Sequence, residues 1–141
     1  LIAAEHGCSV DIMEWLLDNG CPIDHPNIMK AAAEYGSLVN MKWLLDNGCP
    51  INSLFIMSTA AARGSLINLK WLLENGCSID DPESFSAALY HGNLRNLKWL
   101  LENKCPVEKK DKSTATEMFG SFENLLQLLE VDPSVVNYEM N

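Results

Sequence analysis

The chain has 141 residues and carries 10 basic against 19 acidic side chains, a net charge of −9. Phosphate-binding surfaces need clustered Lys and Arg, so this balance excludes nucleic acid and anionic membranes as main partners and favours solubility. No run of about 18 apolar residues is present, which excludes a membrane-spanning helix.

Trp15, Trp43, Trp71 and Trp99 recur at a spacing of 28 residues, and each opens a Trp-Leu-Leu-Asp/Glu-Asn-Gly/Lys-Cys stretch. Gln127 stands one period further on, inside a degenerate fifth copy. Self-similarity at this spacing means a repeat array whose units bury their apolar faces on their neighbours.

In chain order, residues 1–24 form a truncated first unit. Its residues 2–7 read as the end of a helix closed by Gly7. Ser9 or Asp11 caps the next helix, which runs to Asp18 and is closed by Gly20. The chain opens at Leu1 inside a helix pattern, which is read as a fragment of a longer array. Residues 25–52 are a complete unit. Pro26 suits the first helical position, and Gly36 is expected to stop that helix in the left-handed conformation. Ser37 starts a second helix over 38–47, closed by Gly48.

Residues 53–80 repeat the plan, with Ser53 capping a helix over 54–63, Gly64 stopping it, and a second helix over 66–75. In residues 81–108, Asp81 caps, Pro82 opens, Gly92 stops, and a helix follows over 94–103. Lys104 replaces the closing glycine there, which predicts a strained or altered turn. Residues 109–136 are the odd copy, with Ser113, Glu117 and Gln127 in place of apolar residues. A terminal repeat must show water a polar outer face, so this is read as a capping unit, weakly packed and first to open. Asp132 and Pro133 start a last short helix expected to run through Tyr138, and residues 137–141 are a tail.

Fixed positions in successive units form columns. Cys21, Cys49, Cys77 and Cys105 occupy one of them. Equivalent positions in stacked helical units lie about 8–10 Å apart, whereas a disulfide needs Cα atoms within about 7 Å. The thiols are therefore read as reduced, buried apolar groups, as suits an intracellular protein. No two have the spacing of metal ligands. Trp43 falls at about 340° on the second helix, at the rim of its apolar arc, so the tryptophans either pack the seam between units or anchor a partner. Asn40, Asn68, Asn96 and Asn124 fall at about 40°, inside that arc. They either form an amide ladder between units or stay partly exposed. Lys42, Lys70 and Lys98 alternate with Asp46, Glu74 and Glu102 on a solvated face. Lys104, Lys109, Lys110 and Lys112, interrupted by Glu108 and Asp111, read as a solvated turn.

Nothing points to catalysis. His6, His25 and His91 lie in different units, each without a cysteine or carboxylate placed to make it a general base, and no glycine-rich phosphate loop or other cofactor motif is present. The chain is read as a non-enzyme that takes no cofactor and no metal.

The first-helix endings Ala32-Ala33-Glu34-Tyr35-Gly36 and Ala60-Ala61-Ala62-Arg63-Gly64 resemble the Ala-Ala-x-x-Gly of ankyrin repeats. Leu38, Met41, Leu44 and Leu45, followed by Gly48-Cys49-Pro50-Ile51-Asn52, are similar to that family's leucine run and Gly-Ala-Asp-Val-Asn ending. The resemblance spans nearly the whole chain in five copies. It departs from the usual period of about 33 residues. The shortfall lies where the family has its hairpin fingers and Thr-Pro-Leu-His cap. The Trp-Leu-Leu-Glu-Asn-Gly-Cys form resembles short ankyrin arrays of giant DNA viruses and some protists.

The resemblance implies an all-α, ankyrin-like solenoid of helix-turn-helix units with fingers missing or reduced. It also implies a protein-protein interaction scaffold in the cytoplasm, a host's cytoplasm if the source is viral. Ankyrin arrays meet their partners through finger tips and first-helix ends. Without fingers, recognition is expected at Glu5 and His6, Glu34 and Tyr35, Ala62 and Arg63, Tyr90 and His91, and Met118 and Phe119. These residues vary from unit to unit while the scaffold columns barely change. A structural spacer, or the substrate-recognition arm of a ubiquitin-ligase adaptor with its other segments outside this chain, are the alternatives.

Overall fold

The computed structural model of the protein describes residues 10–51 and 55–138. Among them are nine α-helices: α1 (Val10–Asp18), α2 (Pro26–Tyr35), α3 (Leu38–Asp46), α4 (Ile56–Arg63), α5 (Leu66–Glu74), α6 (Pro82–Tyr90), α7 (Leu94–Glu102), α8 (Lys109–Phe119) and α9 (Phe122–Leu129). A single 3-10 turn (Pro133–Val135) follows α9. The strand content of the described residues is one two-residue parallel pair, β1 (Pro106–Val107) with β2 (Asn137–Tyr138). The architecture is an all-α solenoid of helix pairs. Residues 1–9, with the Gly7 stop and the Ser9 cap, lie outside the described residues.

The repeated sequence explains the repeated turns. The second helices α3, α5, α7 and α9 each start on a side-chain cap. Ser37, Ser65, Asn93 and Ser121 accept from the backbone N–H of Asn40, Asn68, Asn96 and Asn124, respectively. A side-chain oxygen there satisfies one of the orphan donors of the first turn. The Asn-Gly-Cys ending closes the helix just as regularly. Gly48 N–H donates to Leu45 O at 3.1 Å and Cys49 N–H to Leu44 O at 2.9 Å, the paired bonds of a Schellman motif. Gly48 sits at φ 88°, where a side chain would be strained. Cys49, Cys77 and Cys105, next after this turn, are buried, whereas Cys21, after the same turn in the first unit, is exposed. Lys104 keeps the same turn at φ 68°, so the expected strain is real. Its Nζ donates to Val135 O at 2.9 Å and its carbonyl accepts from Asn137 Nδ2 at 3.0 Å.

Several expectations are corrected. Gly36 and Gly64 stop α2 and α4 in extended conformations, at φ −92° and −74°, so left-handedness is not their role. α4 begins at Ile56, behind Phe55 in a left-handed conformation at φ 64°; Ser53 and Leu54 lie outside the described residues. Asp11 lies in the first turn of α1 and does not precede it. The helix expected from Asp132 to Tyr138 is only the 3-10 turn, after which the chain pairs with β1.

The core runs the length of the stack. It holds Met29, Ala32 and Ala33, then Ala60, Ala61 and Leu72, then Phe85, Leu97 and Leu100, then Phe122 and Leu125. The small residues of the first helices let α4 and α6 approach closely, and these two form the most extensive helix contact. The tryptophan column is graded: Trp71 is buried, Trp43 and Trp99 are partly buried against the core, and Trp15 is exposed. Ser113, Glu117 and Gln127 are all exposed.

The asparagine column does not form a ladder of amides. Asn68 Nδ2 donates to Ala33 O and Gly36 O, each at 3.2 Å, and Asn96 Nδ2 donates to Ala61 O and Gly64 O, each at 3.0 Å. These two buried amides thus hold the carboxyl end of the first helix one unit earlier, whose carbonyls have no partner within their own helix. Asn124 is exposed and bonds only to Phe119 O of its own unit.

Burial raises the pKa of the Cys49 and Cys77 thiols and pushes that of Cys105 up to about 12. The thiolate is the reactive form. Cys21 is therefore expected to react with a thiol reagent in the native state while Cys49, Cys77 and Cys105 stay protected until denaturant is added. Mass-spectrometric counting of adducts checks this, and rapid native labelling of the three would contradict it. Cys49→Ala is expected to cost only about 1 kcal/mol.

Candidate functional site

The carboxyl ends of α2, α4 and α6 lie side by side, because the first helices stack at one position per unit. Tyr35, 49% exposed, ends α2, and Arg63 ends α4. Arg63 Nη1 donates to Tyr35 Oη at 2.9 Å, and its Nε lies 3.5 Å from Glu34 Oε1. An exposed ion pair of this kind contributes under about 1 kcal/mol, so it orients the guanidinium more than it stabilises the fold. A shallow groove of about 390 Å³ follows these residues, and His91 forms part of its lining.

A second groove, of about 700 Å³, lies over α6 between α4 and α8. Phe55, Ser86, Tyr90, His91, Lys110 and Asp111 are among its lining residues. His91 belongs to both grooves, so they form one continuous surface. Tyr90 is 78% exposed, and its ring meets the His91 ring edge-on at 5.5 Å between centroids. Asp111 is buried in the wall, accepting from Ser86 Oγ at 2.6 Å and from Glu108 N–H at 2.9 Å. Lys110 Nζ stands 2.8 Å from Glu83 Oε1 and 3.8 Å from Glu108 Oε2. The hydrogen bond to Glu83 raises the Lys110 pKa.

Of the eight residues that sequence reasoning singled out among the described ones, six (Glu34, Tyr35, Ala62, Arg63, Tyr90 and His91) line this surface. Met118 is exposed and Phe119 half-buried against the core, and neither lines these two grooves. Glu5 and His6 lie outside the described residues. Phe55 was missed because residues 53–57 read as the start of a helix; a left-handed turn at a bulky residue leaves no sequence signal. The cluster read as a solvated turn is exposed, with Lys109, Lys110 and Lys112 in the first turn of α8, and its side chains also have partners: Lys110 meets Glu83, Lys104 meets Val135, and Lys112 lies over the Tyr138 ring at 4.0 Å. Among the described residues no three His, Cys, Asp or Glu side chains stand close enough to hold a metal ion, and no helix is long and apolar enough to cross a membrane.

Helix pairs repeated in register, whose second helices α3, α5, α7 and α9 each start on a Ser or Asn cap, and stacked through their first helices, define a helix-pair repeat solenoid. A sequence model of ankyrin repeats matches residues 1–83 as three copies. That is more than half of the chain, and the protein belongs to the ankyrin repeat family. The helix pairs α6–α7 and α8–α9 carry the same plan on to Leu129, beyond most of the matched stretch. No curated protein and no solved structure matches the chain.

Proposed function

We propose that the protein is a binding module that captures another protein on its first-helix surface. Ankyrin repeats generally act as protein-protein interaction modules, and the finer assignment rests on one observation. The exposed ends of successive first helices merge through His91 into a continuous pair of grooves flanked by Tyr35 and Tyr90. Tyr and Arg are the residue types that concentrate binding energy at interfaces, and Arg63 is held in place by Tyr35 and Glu34. Units 25–52, 53–80 and 81–108 form the scaffold, and residues 109–136 close it. The free thiols of the cysteine column support an intracellular setting.

The test is an affinity capture with the chain as bait, followed by Tyr35→Ala, Arg63→Ala and Tyr90→Ala in turn. Each is expected to weaken the captured partner by about 1–2 kcal/mol with an unchanged melting temperature. If the triple variant binds normally while changes at Lys42, Lys70 and Lys98 abolish capture, the surface is assigned to the wrong side of the molecule.

A further inference from the structure

The larger groove has a chemistry of its own, and Phe55 is its most unusual member. A bulky residue with positive φ is a genuine outlier, and Phe55 sits at φ 64° and ψ 15°. Yet Phe55 is 54% exposed, so core burial does not offset that cost. Backbone strain that no packing rewards points to a use for the group it positions. Tyr90 lines the same groove and is more exposed still. Phe55 and Tyr90 both line this groove and make no ring contact with each other.

The charges around these rings are mainly acidic. Glu83 and Asp111 line the groove, with Glu108 beside them, against Lys110 as the one full cation of that lining. Lys110 is already engaged by Glu83 and Glu108. The Glu83 side chain remains 51% exposed and can accept a further donor. The chain as a whole carries −9, which steers a basic partner toward it.

We infer that this groove takes a basic segment of the partner protein, with an arginine side chain laid between Phe55 and Tyr90 and its guanidinium turned to Glu83. A planar guanidinium stacks on aromatic faces and forks onto a carboxylate in a way that an ammonium does not. This assignment rests on the protein-binding reading above and adds the chemistry of the partner.

The probe is a short fluorescein-labelled peptide of alternating arginine and serine, titrated with the whole chain and followed by anisotropy. The comparison is the same peptide with citrulline for arginine, which keeps the shape and removes the charge. The arginine peptide is expected to bind at least about tenfold more tightly. Tyr90→Ala and Phe55→Gly are each expected to lose most of that difference, and Glu83→Gln part of it. Phe55→Gly also separates function from folding: glycine accepts the left-handed backbone, so its melting temperature is expected at or above that of the parent chain.

Arginine binding that is indifferent to Phe55→Gly and Tyr90→Ala would be diffuse attraction to an acidic chain, and overturns the assignment. So does equal or absent binding of the two peptides. A captured partner that depends on Tyr35 and Arg63 but is indifferent to Phe55→Gly overturns the arginine anchor and leaves the protein-binding reading standing. Capture lost only through Lys42, Lys70 and Lys98 overturns both.

Discussion

Gly64→Ala is expected to destabilise the fold by about 3 kcal/mol, the upper end of what overpacking a core commonly costs. A Cβ at this position would lie 2.5 Å from Ala33 O and 2.7 Å from Ala60 O. Both neighbours are backbone, and neither can swing aside as a flexible side chain would. Relief requires α4 to move off α2, and Gly64 O is also an acceptor for Asn96, so the shift propagates to the next unit. Gly92→Ala is the control. Gly92 has φ +69° and open space where its Cβ would go, so only the left-handed penalty of about 1–2 kcal/mol applies. Urea unfolding of both variants, followed by helical circular dichroism, measures the difference. Equal losses would show that close approach at Gly64 is not what demands glycine.

Asn96→Ala is expected to cost about 2–4 kcal/mol, because two carbonyls, Ala61 O and Gly64 O, lose their side-chain donor at a buried interface, and a buried group left unsatisfied costs about 1–3 kcal/mol. Asn124→Ala removes the homologous residue of the last unit, which is exposed and bonds only within its own unit. It is expected to change stability by no more than about 0.5 kcal/mol. Asn96→Asp keeps the shape but turns two donors into acceptors facing carbonyls, and is expected to be at least as severe as the alanine. The same unfolding measurements check all three. A loss at Asn96 no larger than at Asn124 would mean that the inter-unit amide bonds carry little of the coupling along the stack.

These two sites mark where reading the chain residue by residue stops. The sequence by itself determined the period, the helix pairs and the all-α solenoid, because those follow from local chemistry repeated in register. Ser and Asn before each second helix cap it, and Asn-Gly-Cys closes it through bonds within a few residues. The buried placing of Cys49, Cys77 and Cys105 was legible from the same repeat, whereas Cys21, read with them, is exposed. Stacking at a constant period also places the first-helix ends of α2, α4 and α6 side by side, whereas Met118 and Phe119 at the end of α8 line neither groove.

Tertiary structure alone decided what depends on contacts between units. Gly36 read as a left-handed stop, but it and Gly64 are extended, and Gly64 is glycine because α2 passes beneath it. The asparagines read as a ladder or as exposed residues; Asn124 is exposed, but Asn68 and Asn96 are buried and their partners are carbonyls 32 and 35 residues earlier. Residues 132–138 read as a helix, but the chain forms one 3-10 turn and then pairs with β1, a partner about 30 residues back that no local pattern announces. Phe55 and Asp111 entered the groove the same way. Helix propensity and capping act over four or five residues and are written in the local sequence, whereas close approach, buried amide bonding and groove shape arise only when distant units meet.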